Sequence, residues 1–222
     1  MMIAYPMADI CCSLNEEKIL TLVFENQHLF YDIVSDISMQ LEGQRGNFVL
    51  SEDYQPLDIR KHIELVTQFV PFNINQKELI NKLYSDLKNK ATDAQLYQQT
   101  SELYGEISRY LYILTEEYGS ELTFDTPDDI SGLLKSFNVR FYDDDKSLAE
   151  KVLEYALAVN ELKGNRILVF VNMRSYLTDT QIESLFKSFI LKKISVICIE
   201  NKEYSRLQNE ERIIVDEDMC LI

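Results

Sequence analysis

Two short apolar runs rich in Val and Ile, Ile167–Val171 and Ile194–Ile199, constrain the fold more than any other feature. Each is bounded by polar residues and reads as a strand buried on both faces. Between them, Thr178-Asp179 opens a segment in which Ile182, Leu185, Phe186 and Phe189 share one helical face. Thr178 is placed to cap that helix. Strand, helix and strand at this spacing, within Lys163–Glu200, make a βαβ unit with parallel strands and a right-handed crossover. A parallel sheet needs cover on both faces, so the rest of the chain must supply helices and further strands.

Upstream, Ile19–Phe24 reads as a buried strand and feeds directly into an amphipathic helix carrying Leu29, Phe30, Ile33, Val34 and Ile37. Phe48–Leu50 is a short strand candidate, and Ile63–Val70 a further strand ended by Pro71. Residues 1–18 carry no strong pattern. Downstream, Asn75 to about Ala91 is helical, and a seam from Leu96 to Tyr118 steps alternately by three and four residues. A helix over 93–118 would be about 40 Å long at the standard rise, and Gly119 closes it. Asp128-Asp129 opens a short helix with Ile130, Leu133, Leu134 and Phe137. Val139–Tyr142 is extended, Ser147–Leu162 is helical, and Arg212–Val215 is a last strand. The expected fold is α/β, a mainly parallel sheet flanked by helices with an elongated α-helical insert. Residues 1–72 with 163–222 form a discontinuous head, and 73–162 form a helical leg.

A first strand feeding a helix is where a nucleotide-binding α/β protein carries its phosphate loop. Here the junction Glu25-Asn26-Gln27-His28 has no glycine, and GxxxxGK[ST] is absent from the chain. No GxSxG elbow accompanies the two histidines, His28 and His62. The four cysteines, Cys11, Cys12, Cys198 and Cys220, lack metal-binding spacing and suit reduced thiols in the cytoplasm. No run is apolar enough to span a bilayer, and MMIAYPMADICC lacks the basic leader of a secretory signal.

The net charge of −15 opposes a general affinity for nucleic acid, but it leaves room for a local basic patch and for divalent cations. Glu116, Glu117, Glu121, Asp125, Asp128 and Asp129 form the densest acidic group. Carboxylates so close repel one another unless a lysine or a hard cation such as calcium offsets them. Cations cluster weakly, as Arg60-Lys61, Lys135 with Arg140, and Lys192-Lys193. At the second strand of the βαβ unit, Glu200-Asn201-Lys202 has the acid-x-lysine form of metal-dependent nucleases. There the acid holds a cation and the lysine polarises water. A solvated strand end is the plain alternative.

Several stretches together resemble the type II-A CRISPR-associated spacer-acquisition family (the Csn-two family). They are LVTQFVPFNIN, DDISGLLKSFNVRFY, RILVFVNMRSYLTDTQIESL and the ending VDEDMCLI, with the strand-into-helix start at 19–37. The resemblance covers most of residues 19–222. It implies a degenerate P-loop NTPase-like core without a working phosphate loop, in keeping with Asn172 where such an enzyme carries a metal-holding Asp. It further implies a homotetrameric ring that binds double-stranded DNA ends without sequence preference and is stabilised by calcium. Its partners would be the CRISPR integrase complex and the RNA-guided nuclease, and no enzymatic activity is implied. By this resemblance Glu117, Glu121, Asp125, Asp128 and Asp129 are the calcium candidates, with Pro127 a departure from the family's loop spacing. Lys135 matches a family lysine and Arg140 stands where the family usually has lysine. Arg60 and Lys61 extend the DNA-binding set. The competing expectations are a nuclease using Glu200 and Lys202, and a structural adaptor that does not touch DNA.

Overall fold

The computed structural model describes residues 1–127, 129–164 and 166–222. The chain divides into two compact units, Met1–Ile74 with Asp143–Ile222, and Asn75–Tyr142.

The first unit is built on a five-stranded sheet of β3 (Ile19–Phe24), β6 (Ile63–Val66), β7 (Ile167–Val171), β8 (Val196–Glu200) and β9 (Glu210–Val215). The order is β6-β7-β8-β3-β9, and every pairing is parallel. β3, β7 and β8 are buried at every position, as strands covered on both faces must be. The residues expected to form the βαβ unit do so: α7 (Asp179–Leu191) follows β7, and Thr178 caps it in a reciprocal box with Gln181.

Alternation divides the sheet's side chains between two layers. Leu20, Leu22, Phe24, Val169 and Ile197 face α1 (Gln27–Leu41), which contributes Leu29, Ile33 and Ile37. That layer also takes Ile3, Tyr5, Ile10, Phe48 and Leu50 from a second, antiparallel sheet. The second sheet, ordered β2-β1-β4-β5, joins β1 (Met2–Tyr5), β2 (Ile10–Ser13), β4 (Val49–Glu52) and β5 (Gln55–Pro56). On the opposite face Phe170 stacks on Phe189 of α7. Tyr155 of α6 (Leu148–Lys163) donates to Glu64 Oε1 at 2.7 Å.

Several expectations need correction. Residues 1–18 hold a β-hairpin whose two four-residue strands are too short for a clear period. β6 ends at Val66, not Val70. Its last partner is Phe170, next to last in β7, and beyond it the chain leaves the sheet; Phe69 instead stacks on Phe72 and Tyr176. Helix α6 belongs with the sheet rather than with the helical insert, because Val152, Tyr155, Ala156 and Val159 are buried in that unit.

The second unit holds α3 (Lys77–Thr92), α4 (Tyr97–Thr115) and α5 (Ser131–Ser136). α4 is shorter than the sequence seam, because the Asp93 carboxylate accepts from Gln95 and Leu96 N–H and turns the chain before the helix begins. Val139–Tyr142 forms no strand; the Asn75 side chain holds Phe141 by both backbone groups, at 3.0 and 2.9 Å.

Candidate functional site

In the second unit Lys135 lies in the last turn of α5 and Arg140 just beyond it, both exposed. Neither forms an ion pair with a carboxylate among the described residues. Arg60 and Lys61 sit on the single-turn helix α2 (Ile59–His62) of the first unit. Arg60 is already engaged: its guanidinium meets the Asp58 carboxylate at 2.7 and 2.9 Å. That pairing holds the Asp58 carboxyl down at about 2. Lys61 is exposed beside it.

Among the described residues the acidic segment does not converge. Glu117, Glu121 and Asp125 are exposed along the loop after α4, and Asp128 lies outside the described residues. Asp129 has a structural task. Its carboxylate meets Lys88 Nζ of α3 at 2.8 Å and accepts from Ser131 N–H at 2.7 Å, while its carbonyl accepts from Tyr104 of α4 at 2.8 Å. The Lys88 bond, then the Ser131 bond, hold the carboxyl well below the usual range. The lysine that offsets this part of the acidic group is thus Lys88, forty-odd positions upstream and invisible to local spacing. A calcium site needs several converging oxygen ligands. Among the described residues no three His, Cys, Asp or Glu side chains converge in this way, so those of one protomer do not by themselves fit the ion.

At the junction of β3 with α1 the position of a phosphate loop is taken by a cap. Asn26 Oδ1 accepts from His28 and Leu29 N–H, each at 3.1 Å, which consumes amides that a phosphate would need. Asn26 Nδ2 donates to Glu217 O and Glu25 N–H to Val215 O, so the C-terminal segment closes over the turn. At the end of β7, Asn172 adopts a left-handed conformation (φ 56°) and accepts from Asn201 N–H at 3.0 Å. Its amide thus ties the end of β7 to the residue that follows β8.

Sequence reasoning read Glu200 as a strand-end acid and missed what surrounds it. Glu200 has no solvent exposure, and its Oε1 accepts from Arg174 N–H at 3.1 Å. Burial pushes its carboxyl up to about 7, against the pull of Arg174. Arg174 is buried too, and it bonds Glu210, Asp179 and Ser205 O. Arg212 meets Glu210 Oε2 at 2.6 Å. Lys202 does not project toward a reacting centre; its ammonium lies 4.9 Å from the centre of the Tyr204 ring. A buried acid held by a backbone amide presents no face to a cation and a nucleic acid together, so this geometry does not assemble the nuclease reading.

These features define a class: an α/β protein whose parallel sheet is a sealed scaffold, interrupted by a helical insert that carries exposed cations and acids. Residues 40–219 match the model of the family described as CRISPR-associated protein (Cas_Csn2), and the chain belongs to that family. It is 24% identical over 226 residues to the CRISPR-associated protein Csn2 of Streptococcus agalactiae, covering 99% of this chain and 96% of that one. It is 23% identical over 158 residues to the protein of the same name from Enterococcus faecalis, covering 71% and 70%. The crystal structure of Stu0660 of Streptococcus thermophilus superposes with a TM-score of 0.61 at 12% identity. The superposition covers 97% of this chain and 74% of that one, a likeness of fold. Family membership assigns the chain to CRISPR adaptation. No helix among the described residues is long and apolar enough to cross a membrane.

Proposed function

We propose that this chain serves spacer acquisition as a non-enzymatic protein that binds double-stranded DNA ends without sequence preference, as a homotetrameric ring stabilised by calcium. The family match over residues 40–219 carries the reading. Within it the sheet is a degenerate P-loop NTPase-like core, a reading supported by the capped Asn26 turn and by Asn172. The insert is an elongated leg. Helix α4 supports a role for this leg in assembly. It buries no residue within the protomer, and Tyr97, Tyr110, Tyr112, Ile113, Leu114 and Tyr118 remain exposed. Exposed apolar surface of this extent marks interaction sites. Lys135 and Arg140 are the first candidates for phosphate contacts, then Lys61, with Arg60 discounted by its bond to Asp58. The CRISPR integrase complex and the RNA-guided nuclease are the partners in this reading.

Calcium enters on the family resemblance alone. Glu117, Glu121, Asp125, Asp128 and Asp129 are its candidates, and a site would need donors beyond the described ones of a single protomer. Chelation is expected to lower the melting temperature of the assembly. An unchanged calcium response in Glu117→Gln with Glu121→Gln and Asp125→Asn would remove these three from the site.

The deciding experiment measures binding of linear and covalently closed duplexes against salt concentration. Linear DNA should be preferred, and the slope of log K on log salt should shrink by about 0.9 for each phosphate that Lys135→Ala or Arg140→Ala leaves without its cation. Equal affinity for closed circles, or binding indifferent to salt, would refute it. A clean tetramer that binds no DNA would favour the adaptor reading.

A further inference from the structure

The connection from β8 to β9 contains no helix. Parallel strands ordinarily need a crossover of a dozen or more residues, usually helical. Here the short segment Asn201–Asn209 passes from one side of β3 to the other. Side chains hold it. Asn201 N–H donates to Asn172 Oδ1 and Leu207 N–H to Glu210 Oε2, each at 3.0 Å. Arg212 donates to Tyr204 O at 2.8 Å and Ser205 O at 3.1 Å, and Arg174 donates to Ser205 O at 2.8 Å. The Tyr204 ring lies against the Arg174 guanidinium, 4.7 Å from its centre.

By strand alternation Thr21, Cys198, Glu200, Glu210 and Arg212 share the sheet face opposite the α1 layer. With Arg174 they make a buried charge cluster. It is incompletely satisfied. Thr21 Oγ1, Glu200 Oε2, Arg174 Nε and Arg212 Nε are all buried without a hydrogen-bond partner among the described residues. A partly satisfied buried network favours any state in which its members reach water. β3 and its neighbours are held by continuous parallel ladders and by the apolar layer on their other face, so lifting the segment hydrates the cluster at least cost.

We infer that Asn201–Asn209 is a strap, latched by Arg174 and Arg212, that opens while the sheet stays folded. Opening brings two buried guanidiniums toward the surface beside Lys202 and Arg206 of the strap itself. Their buried carboxylate partner Glu210 is uncovered with them, and their partners Asp179 and Glu203 are already exposed, so opening converts a buried ion-pair cluster into a solvated one. The inference is independent of the DNA reading.

Cys198 reports the opening, because it is fully buried on this face. A full-length protein with Cys11→Ser, Cys12→Ser and Cys220→Ser leaves it as the sole thiol. Under native conditions its alkylation should be at least about tenfold faster than global unfolding allows, with little dependence on urea, as local opening requires. Arg212→Met should speed it further while amide exchange in Leu20–Phe24 stays slow. Alkylation with the full urea dependence of global unfolding would overturn the inference. So would an unchanged rate in a folded Arg212→Met protein. If that variant does not fold, the urea dependence of the triple-serine protein decides alone.

Discussion

Glu200 offers the sharpest test of the buried charges, because two effects compete there with opposite signs. Arg174 N–H and the Arg174 charge favour the carboxylate, while burial opposes it and prevails, raising the carboxyl from 4.5 to about 7. The charges acting on it are those of Arg174 after β7, Glu210 on β9, and Lys202 on the strap. A carboxyl whose pKa is raised by folding binds its proton more tightly in the native state. Its folding penalty is therefore absent below about pH 4.5, grows as the unfolded chain ionises, and is complete above pH 7. At 1.36 kcal/mol per pH unit the penalty reaches about 3 kcal/mol. Glu200→Gln keeps the shape and an oxygen for Arg174 N–H while removing the charge. Urea unfolding at pH 5, 6, 7 and 8 should show the variant gaining on the native protein as pH rises, by about 2 kcal/mol over the range, since part of the penalty is already present at pH 5. A difference independent of pH, or one that moves in favour of the native protein, would mean that Arg174 outweighs burial.

Asp129 works in the opposite sense. Its carboxyl is lowered by Lys88 first and Ser131 second, so its contribution is present above the ordinary carboxylate range and lost as pH falls through the folded value. Asp129→Asn should weaken the second unit at neutral pH and leave it less sensitive to acid, which far-UV circular dichroism from pH 7 to pH 2 would detect. Glu64 is the other buried anchor, meeting Lys163 Nζ at 2.8 and 3.0 Å and Tyr155 at 2.7 Å. Glu64→Ala should cost on the order of 3 kcal/mol in urea unfolding, because a buried cation loses its carboxylate. A loss under 1 kcal/mol would show that water replaces that carboxylate at about equal free energy.

The boundaries of β3, β7 and α7 were legible because each rests on a local signal. Continuous Val and Ile mark a strand buried on both faces, and Thr178 with Gln181 marks a helix start. The N-terminal hairpin was not legible, because its short strands gain stability only by pairing with β4 and packing Ile3, Tyr5 and Ile10 into the α1 layer. The candidate cations Lys135 and Arg140 could be named from the family resemblance. The roles of Asp129 and Arg60 could not, since each depends on which neighbour reaches it.

The stretch Lys163–Glu200 by itself determined a parallel α/β core, because side-chain period and capping are properties of neighbouring residues. The missing glycines likewise determined that no phosphate loop opens α1. Tertiary structure alone decided what stands at the strand ends. Asn172 meets Asn201, Lys88 meets Asp129, and Glu200 and Glu210 face Arg174 and Arg212 across three strands and a strap. Charge interactions act through space and burial rather than along the chain. A strand-end Glu that reads as a solvated acid therefore becomes, once the strap crosses β3, a buried group that titrates near neutrality.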